Sequence, residues 1–294
     1  MNTNFDQLFF DLRDIRLHAV ASGPKDGEVV ILLHGFPEFW ISWRHQITPL
    51  ADAGFRVIAL DQRGYNLSDK PNNVADYRLD KLAGDIMNLL DLLHIERAHI
   101  AGHDFGASVA WLLISCYPTR FHSAVVLNVP HPRIFQQTLK TSKEQKRRSW
   151  YMFFFQFPLL PELWLSRKNF RAAINLLICS SRNRTFTDAD LDAYRTAWSR
   201  PGALRSMVHW YRAGIRFGLP QRKDDEWRVS VPTLIIWGKE DIFLIPEMAQ
   251  KSLEYCDRGQ CLILPGVSHW INHEEPARVS NELIAHFKRH GTYT

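Results

Sequence analysis

The sequence predicts an α/β fold in which a mostly parallel, doubly wound sheet carries an inserted helical segment. Short apolar runs alternate with helical patterns along most of the chain. This alternation stops in the middle of the chain, where the sequence becomes aromatic and basic, and then resumes. The length of 294 residues and the 46% apolar content suit a globular protein with a sizeable core and exclude disordered or fibrous chains.

Apolar runs that end in turn residues are predicted to be buried strands. Continuous rather than alternating apolar character is typical of a parallel sheet covered on both faces. Between the second and third runs, apolar side chains from Leu82 to Leu93 recur at helical spacing. Alternating strands and helices indicate βαβ units. The predicted strands contain residues 29–33, 57–60, 99–101, 124–127, 233–237 and 262–264.

Proline-containing turns mark where the alternation stops and where it resumes. It stops after residues 129–132 and resumes near residues 231–232. We therefore predict a core domain made of residues 1–132 and 221–294, and a helical cap domain over residues 133–220. The cap is expected to cover the carboxyl edge of the sheet, because open α/β sheets bind ligands there.

Charge is distributed unevenly between these two units. The chain has a net charge of +5, but the predicted cap alone holds 16 Lys and Arg against 5 Asp and Glu. Two interpretations stay open: a solvated basic surface, or attraction to an anionic membrane surface or an acidic partner. No nucleic-acid motif accompanies the charge, so no nucleic-acid partner is expected. The sequence leaves a homodimer open.

The longest apolar stretch lies in the predicted cap, at residues 150–165. It contains two prolines and a glutamate, so it is predicted not to span a membrane. Its aromatic side chains are expected to line the ligand pocket and the cap–core interface. They are Trp150, Phe153, Phe154, Phe155 and Phe157.

Two features indicate a soluble, cytoplasmic protein. The start of the chain, MNTNFDQLFFDLRD, has too short an apolar run for a signal peptide. The four cysteines show neither the spacing of a zinc site nor that of a disulfide scaffold.

The segment Gly102-His103-Asp104-Phe105-Gly106 follows a predicted strand and precedes an apolar helix. This is the strand–turn–helix context of a nucleophile elbow, with a carboxylate at its centre. A carboxylate nucleophile attacks carbon and forms an alkyl ester on the enzyme, so serine-esterase chemistry is disfavoured. Taken alone, Asp104 is also compatible with an ordinary helix N-cap.

A second turn, His34-Gly35-Phe36-Pro37, follows the first predicted strand of the sheet. The backbone N–H groups of Phe36 and Phe105 are predicted to form an oxyanion hole. An ordinary Gly–Pro turn is the alternative, and a cis peptide bond at Pro37 is left open.

An acid and a histidine follow two late strands. Asp241 lies in WGKED and His269 in GVSHW, in the chain order nucleophile, acid, base. We predict that His269 is the base and that Asp241 orients it. Glu240 and His273 are the neighbouring alternatives.

Together these motifs resemble those of α/β-hydrolase-fold epoxide hydrolases over nearly the whole chain. Three departures from the commonest pattern are Phe105 after the nucleophile, Asn66 in RGYN, and Asn272-His273. Asn tolerates a left-handed conformation, so Asn66 is compatible with the turn. The matching segments are HGFPEFWISWRHQ (34–46), DQRGYNLSDKP (61–71), GHDFGA (102–107), WYMFFFQFP (150–158), HWYR (209–212), WGKEDIF (237–243) and GVSHW (266–270).

The resemblance implies hydrolysis of an apolar epoxide by water to a vicinal diol, with no metal or organic cofactor. It implies that Tyr151 and Tyr211 assist ring opening, since a phenol stays protonated at neutral pH. It further implies substrate contacts from Trp40, Phe155 and Trp270.

Two alternatives remain. A haloalkane dehalogenase uses the same nucleophile but needs N–H donors for the halide; Phe105 lacks one, whereas Trp40 or Trp43 could supply one. A catalytically idle binding protein would be expected to lack a member of the triad or a tyrosine, and every position is filled.

Overall fold

The computed structural model describes residues 5–291, which contain an eight-stranded sheet in the order β1-β2-β4-β3-β5-β6-β7-β8. The predicted core domain also includes residues 1–4 and 292–294, which lie outside the described residues. The strands are β1 (Asp6–Asp11), β2 (Arg16–Ser22), β3 (Val29–Leu33), β4 (Arg56–Asp61), β5 (Ala98–His103), β6 (Phe121–Leu127), β7 (Thr233–Gly238) and β8 (Gly259–Leu264).

Strands β3 to β8 pair in parallel and contain every predicted strand. The α/β prediction is therefore confirmed. Strands β1 and β2 were not predicted; they pair antiparallel at one edge of the sheet. Most of β1 is exposed, so it lacks an apolar run. In β2 the run is interrupted by His18, which is buried because its Nδ1 lies 2.6 Å from Oδ2 of Asp61.

Helices cover both faces of the sheet. Helices α2 and α3 pack on the face that also meets the cap, and α1 and α12 pack on the other face. The helices are α1 (Arg44–Asp52), α2 (Leu79–Leu92), α3 (Phe105–Cys116), α4 (Pro132–Thr141), α5 (Lys143–Arg148), α6 (Trp150–Phe154), α7 (Leu160–Ser180), α8 (Asp188–Trp198), α9 (Ala203–Phe217), α10 (Glu247–Ser252), α11 (Ile271–Glu274) and α12 (Pro276–His290). Short 3₁₀ helices occupy Trp40–Trp43, Val74–Tyr77, Pro118–Arg120, Asp225–Trp227 and Leu253–Tyr255.

Helices α4 to α9 lie between β6 and β7 in the chain and form the cap. The backbone leaves helical geometry inside α7, at residues 167–170. Among residues 5–291, no helix has both the length and the apolar character that crossing a bilayer requires.

Buried polar contacts hold the cap on the core. The indole of Trp198 donates to the carbonyl of Pro37 at 2.6 Å. Asp190 forms an ion pair with Arg44 at 3.0 Å. Asn66 adopts the left-handed conformation, with φ of 39°, and its Oδ1 accepts a hydrogen bond from the cap residue Arg200. The left-handed Asn66 thus also becomes a point of attachment for the cap.

Candidate active site

Asp104 lies in the sharp turn between β5 and α3, with φ of 50° and ψ of −123°. A β-carbon on Gly102 would collide with the carbonyl group of Gly106, and one on Gly106 would collide with the carbonyl of Leu33. A β-carbon on Gly35 would collide with the side chain of Asp104 itself. These close approaches require glycine at all three positions and are the physical reason for the motif.

The carboxylate of Asp104 faces the reaction site. Its Oδ1 accepts a 2.8 Å hydrogen bond from the backbone N–H of Phe36, and its Oδ2 lies 3.5 Å from Nε2 of His269. The side chain accepts no capping hydrogen bond from α3, so the N-cap alternative is not supported. Within residues 5–291, Phe105 donates no hydrogen bond to this carboxylate, and its predicted oxyanion role remains a prediction. The Phe36–Pro37 peptide bond is cis.

His269 is held by Asp241, whose Oδ2 lies 2.7 Å from Nδ1 of the ring. The other oxygen, Oδ1, accepts from the backbone N–H groups of Phe243 and Leu244 at 2.7 and 3.0 Å. Asn128 also donates to Oδ2, at 2.8 Å. Sequence reasoning missed Asn128, although a polar residue directly after a buried strand could have indicated it.

The neighbouring alternatives lie elsewhere. Glu240 is exposed. His273 is buried, and its Nε2 lies 2.6 Å from Oε1 of Glu38 rather than at Asp104. The structure therefore brings Asp104, Asp241 and His269 together.

Two carboxylates flank His269 and control its charge. Burial alone would lower the pKa of His269, but the charges and hydrogen bonds of Asp241 and Asp104 outweigh burial and raise it to about 10. Burial likewise opposes ionisation of Asp104, yet the hydrogen bond and charge of His269 lower the pKa of that carboxyl. The free site thus holds an imidazolium between two carboxylates.

A second buried polar cluster lies beside the triad and was also missed. Glu38 accepts hydrogen bonds from the Tyr194 hydroxyl at 2.7 Å and from His273 at 2.6 Å. His103 places Nδ1 3.2 Å from Glu38 and Nε2 2.8 Å from the backbone carbonyl of His269. Each ring nitrogen of His103 therefore faces an oxygen. The cluster therefore ties the backbone of the loop that carries His269 to the cap.

Two cavities meet at Asp104. The first has a volume of about 500 Å³ and the second about 260 Å³. Asp104, Tyr151 and Tyr211 line both. A ligand reaching from one cavity into the other would therefore pass the carboxylate.

The two tyrosine rings are 5.7 Å apart between centroids and nearly perpendicular. Among residues 5–291, neither hydroxyl has a hydrogen-bond partner, so both are free to bind a ligand oxygen. Burial raises the pKa of Tyr151, and the charges of Asp104 and Asp241 add to the shift. Burial also raises the pKa of Tyr211 well above its usual value. Both phenols remain protonated donors at neutral pH.

Two of the three residues predicted to contact the substrate line a cavity. Phe155 and Trp270 line the first cavity. Trp40 lines neither cavity, and its substrate contact stays a prediction. Its backbone N–H donates to Asp61, and its ring packs edge-on against Phe5 and Phe39.

The expectation that all five cap aromatics are directed inward is wrong. Phe155 is buried, and Phe154 and Trp150 line the first cavity. Phe153, on the short helix α6, and Phe157, which follows that helix, line neither cavity and are exposed to solvent.

The parallel sheet, the nucleophile elbow and the Asp104–His269–Asp241 arrangement define an α/β hydrolase. The chain belongs to the alpha/beta hydrolase fold family, whose profile matches residues 28–276.

Within this family the chain belongs with the epoxide hydrolases. The chain is 35% identical to "Epoxide hydrolase 2" of Caenorhabditis elegans, over 99% of this chain and 82% of that protein. It is 38% identical to "Epoxide hydrolase 4" of Mus musculus, over 93% and 77% respectively. The crystal structure of the Bacillus megaterium epoxide hydrolase with an inhibitor superposes with a TM-score of 0.86 at 30% identity, covering 96% of this chain and all of that one. An AB hydrolase superfamily protein of Bacillus subtilis, YfhM, is 41% identical over 95% of this chain and 97% of its own.

Proposed function

We propose that this protein is an epoxide hydrolase that converts apolar epoxides to vicinal diols through an ester on Asp104. One observation supports this proposal above all. Two protonated tyrosine hydroxyls without hydrogen-bond partners line the same two cavities as the carboxylate of Asp104. An alkoxide is a poor leaving group, so ring opening requires a proton donor. Tyr151 and Tyr211 supply such donors beside Asp104.

In the first step, Oδ2 of Asp104 forms a bond to one epoxide carbon while the carbon–oxygen bond of the ring breaks. Oδ1 remains in the hydrogen bond from Phe36 and becomes the carbonyl oxygen of the ester. The departing ring oxygen takes a proton from a tyrosine hydroxyl. The product of this step is a hydroxyalkyl ester.

In the second step, water attacks the ester carbonyl carbon and His269 takes its proton. Ester formation removes the negative charge of Asp104, and this lowers the pKa of His269 from the value of about 10 in the free site. The imidazolium then passes its proton to the tyrosinate left by ring opening, so the neutral imidazole becomes a base only when there is an ester to hydrolyse. The N–H of Phe36 stabilises the oxyanion, and collapse releases the diol and restores Asp104.

The dehalogenase alternative fits the cavities less well. The indole of Trp270 already donates to Oγ of Ser180, and that of Trp210 to the carbonyl of Arg63. Trp43 is fully buried and lines neither cavity. Neither Trp210 nor Trp270 therefore offers a free indole donor for a halide next to Asp104.

We also infer a cytoplasmic location. All four cysteines are free thiols, as is usual for proteins of a reducing compartment.

The test is a single turnover of excess enzyme with styrene oxide in oxygen-18 water, followed by mass spectrometry of the diol and the protein. Label in the peptide that contains Asp104, with an unlabelled first diol, is the expected result. Direct labelling of the diol with no label in the protein would overturn the ester mechanism.

Two variants sharpen this test. Asp104→Ala is expected to form no diol, and His269→Gln is expected to accumulate an ester that intact-protein mass spectrometry detects. Wild-type turnover by Asp104→Ala would remove the carboxylate from the mechanism. Halide release from 1-bromobutane without diol formation from any epoxide would favour the dehalogenase.

A further inference from the structure

The outer side of the cap exposes a continuous apolar surface, here called the aromatic face. Each of its side chains keeps between 45% and 70% of its surface exposed. Contiguous exposed apolar surface on a soluble domain marks an interaction site. The aromatic face consists of Trp150, Phe153, Phe157, Leu159, Leu160, Leu163 and Trp164.

Contacts between rings make the aromatic face one surface. Leu160, Leu163 and Trp164 are spaced three and four residues apart on α7 and share one side of that helix. The ring of Phe154 contacts both Trp150 on α6 and Trp164 on α7, at 6.1 and 5.7 Å between centroids. The two helices therefore present their apolar side chains together.

Unpaired cations lie before and after the aromatic face along the chain, and they form what is here called the basic rim. Within residues 5–291 none of these side chains forms an ion pair, and all are exposed. The two acids of the same stretch are already neutralised, Glu144 by Arg148 and Glu162 by Arg212. The basic rim consists of Lys143, Lys146, Arg147, Arg167, Lys168 and Arg171.

We propose that the aromatic face and the basic rim bind the cap to the surface of an anionic lipid bilayer. Aromatic and leucine side chains enter the boundary between headgroups and acyl chains, while Lys and Arg at the same level attract anionic headgroups. From the sequence alone, this interpretation and a solvated basic surface both stayed open. Outward-facing Phe153 and Phe157 and the unpaired cations decide in its favour.

A second copy of the chain fits the aromatic face less well than an anionic bilayer does. A two-fold contact between two aromatic faces would bring the two basic rims together, and like charges repel across an interface. An anionic bilayer supplies the opposite charge to every member of the rim at once.

The position of the aromatic face also connects it with the active site. Trp150, Trp164 and Arg147 line the first cavity as well as belonging to the face or the rim. The cavity therefore opens beside the bound bilayer. Apolar epoxides dissolve in lipid, so a docked cap takes them up from the membrane rather than from water.

The test is cosedimentation of the full-length protein with vesicles of phosphatidylcholine, with and without phosphatidylglycerol, at low and high salt. Wild-type protein is expected to bind anionic vesicles about tenfold more than neutral ones at low salt, and to lose most of this preference at high salt. Phe153→Ser combined with Leu163→Ser, and separately Lys143→Glu combined with Arg167→Glu, are each expected to reduce binding about tenfold. No binding by wild type to anionic vesicles, or unchanged binding by both double variants, overturns the proposal.

Matched controls separate this proposal from its rivals. Leu92 is exposed on α2, outside the aromatic face, so Leu92→Ser should bind vesicles like wild type. Asp104→Ala should also bind like wild type, so the vesicle result stands or falls independently of the proposed enzymatic function. Circular dichroism checks the fold, and the charge variant carries the test if the serine variant does not fold. A concentration-dependent dimer that the serine variant abolishes would assign the face to a second copy and overturn the membrane proposal.

Discussion

The hydroxyl of Tyr194 on the cap helix α8 donates a 2.7 Å hydrogen bond to Oε1 of Glu38, which lies two residues after Phe36 in the chain. Glu38 is fully buried, yet interactions with His273 and His103 outweigh the effect of burial and lower the pKa of the carboxyl. His103 in turn contacts the backbone carbonyl of His269. One buried carboxylate therefore connects the cap, the oxyanion loop and the loop of the proposed base.

Tyr194→Phe removes one donor from this buried carboxylate and is expected to lower the free energy of unfolding by about 1–3 kcal/mol. Urea unfolding followed by circular dichroism measures the change. Tyr255→Phe is the control, because the Tyr255 hydroxyl bonds to exposed Asp224 and its loss should change stability by less than about 0.5 kcal/mol. If both substitutions changed the free energy of unfolding equally, the buried Glu38 would not depend on the hydrogen bond from the cap.

Tyr151→Phe and Tyr211→Phe each remove one of the two proton donors from the cavity wall. Each is expected to reduce kcat/KM for styrene oxide about 10²-fold, in line with the loss of one donor to a developing oxyanion. The double variant should have a lower kcat/KM than either single variant. Tyr117→Phe, at an exposed position, is the matched control. Near wild-type activity in the double variant would show that ring opening needs neither phenol.

Asp104→Asn is expected to lower the pKa of His269 below its value of about 10, because an anion that stabilises the imidazolium has been removed. NMR titration of histidine-labelled protein measures the pKa, with His269→Gln identifying the resonance. An unchanged or raised pKa would contradict the proposed activation of the base by ester formation.

The raised pKa of His269 also makes the stability of the folded protein depend on pH. The pKa of His269 in the folded protein exceeds its ordinary value of 6.5, so protonation stabilises the fold fully below pH 6.5. This contribution is lost as the pH rises towards about 10. The free energy of unfolding of wild type, measured with urea, should therefore fall relative to that of His269→Gln as the pH rises over this range. A difference independent of pH would contradict the charged state assigned to His269.

Gly102→Ala is expected to destabilise the protein by about 1–3 kcal/mol, because the added methyl group meets the backbone of the nucleophile elbow. Gly84→Ala is the matched control. Gly84 lies inside helix α2 with open space around it, so alanine there should stabilise the protein by up to about 1 kcal/mol. Thermal unfolding compares the two variants, and destabilisation of similar size in both would mean that the elbow is not closely packed.

The strands of the parallel sheet could be predicted because their signal is local. Strands β3 to β7 are buried and carry continuous apolar runs, and the partly exposed edge strand β8 carries a short one at residues 262–264. The edge strands β1 and β2 could not be found in this way. Exposure of β1 and the buried His18–Asp61 contact in β2 remove that run, and the contact joins residues 43 positions apart.

The strand–turn–helix segment around Asp104 and the chain order of Asp104, Asp241 and His269 could be predicted from the sequence, because they depend on short motifs at the ends of strands. The cluster of Glu38, His103, His273 and Tyr194 and the exposure of Phe153 and Phe157 could not, and they are seen in the folded protein alone. The direction of a side chain depends on what packs against its helix or loop. Those neighbours come from distant parts of the chain, and composition and spacing do not contain them.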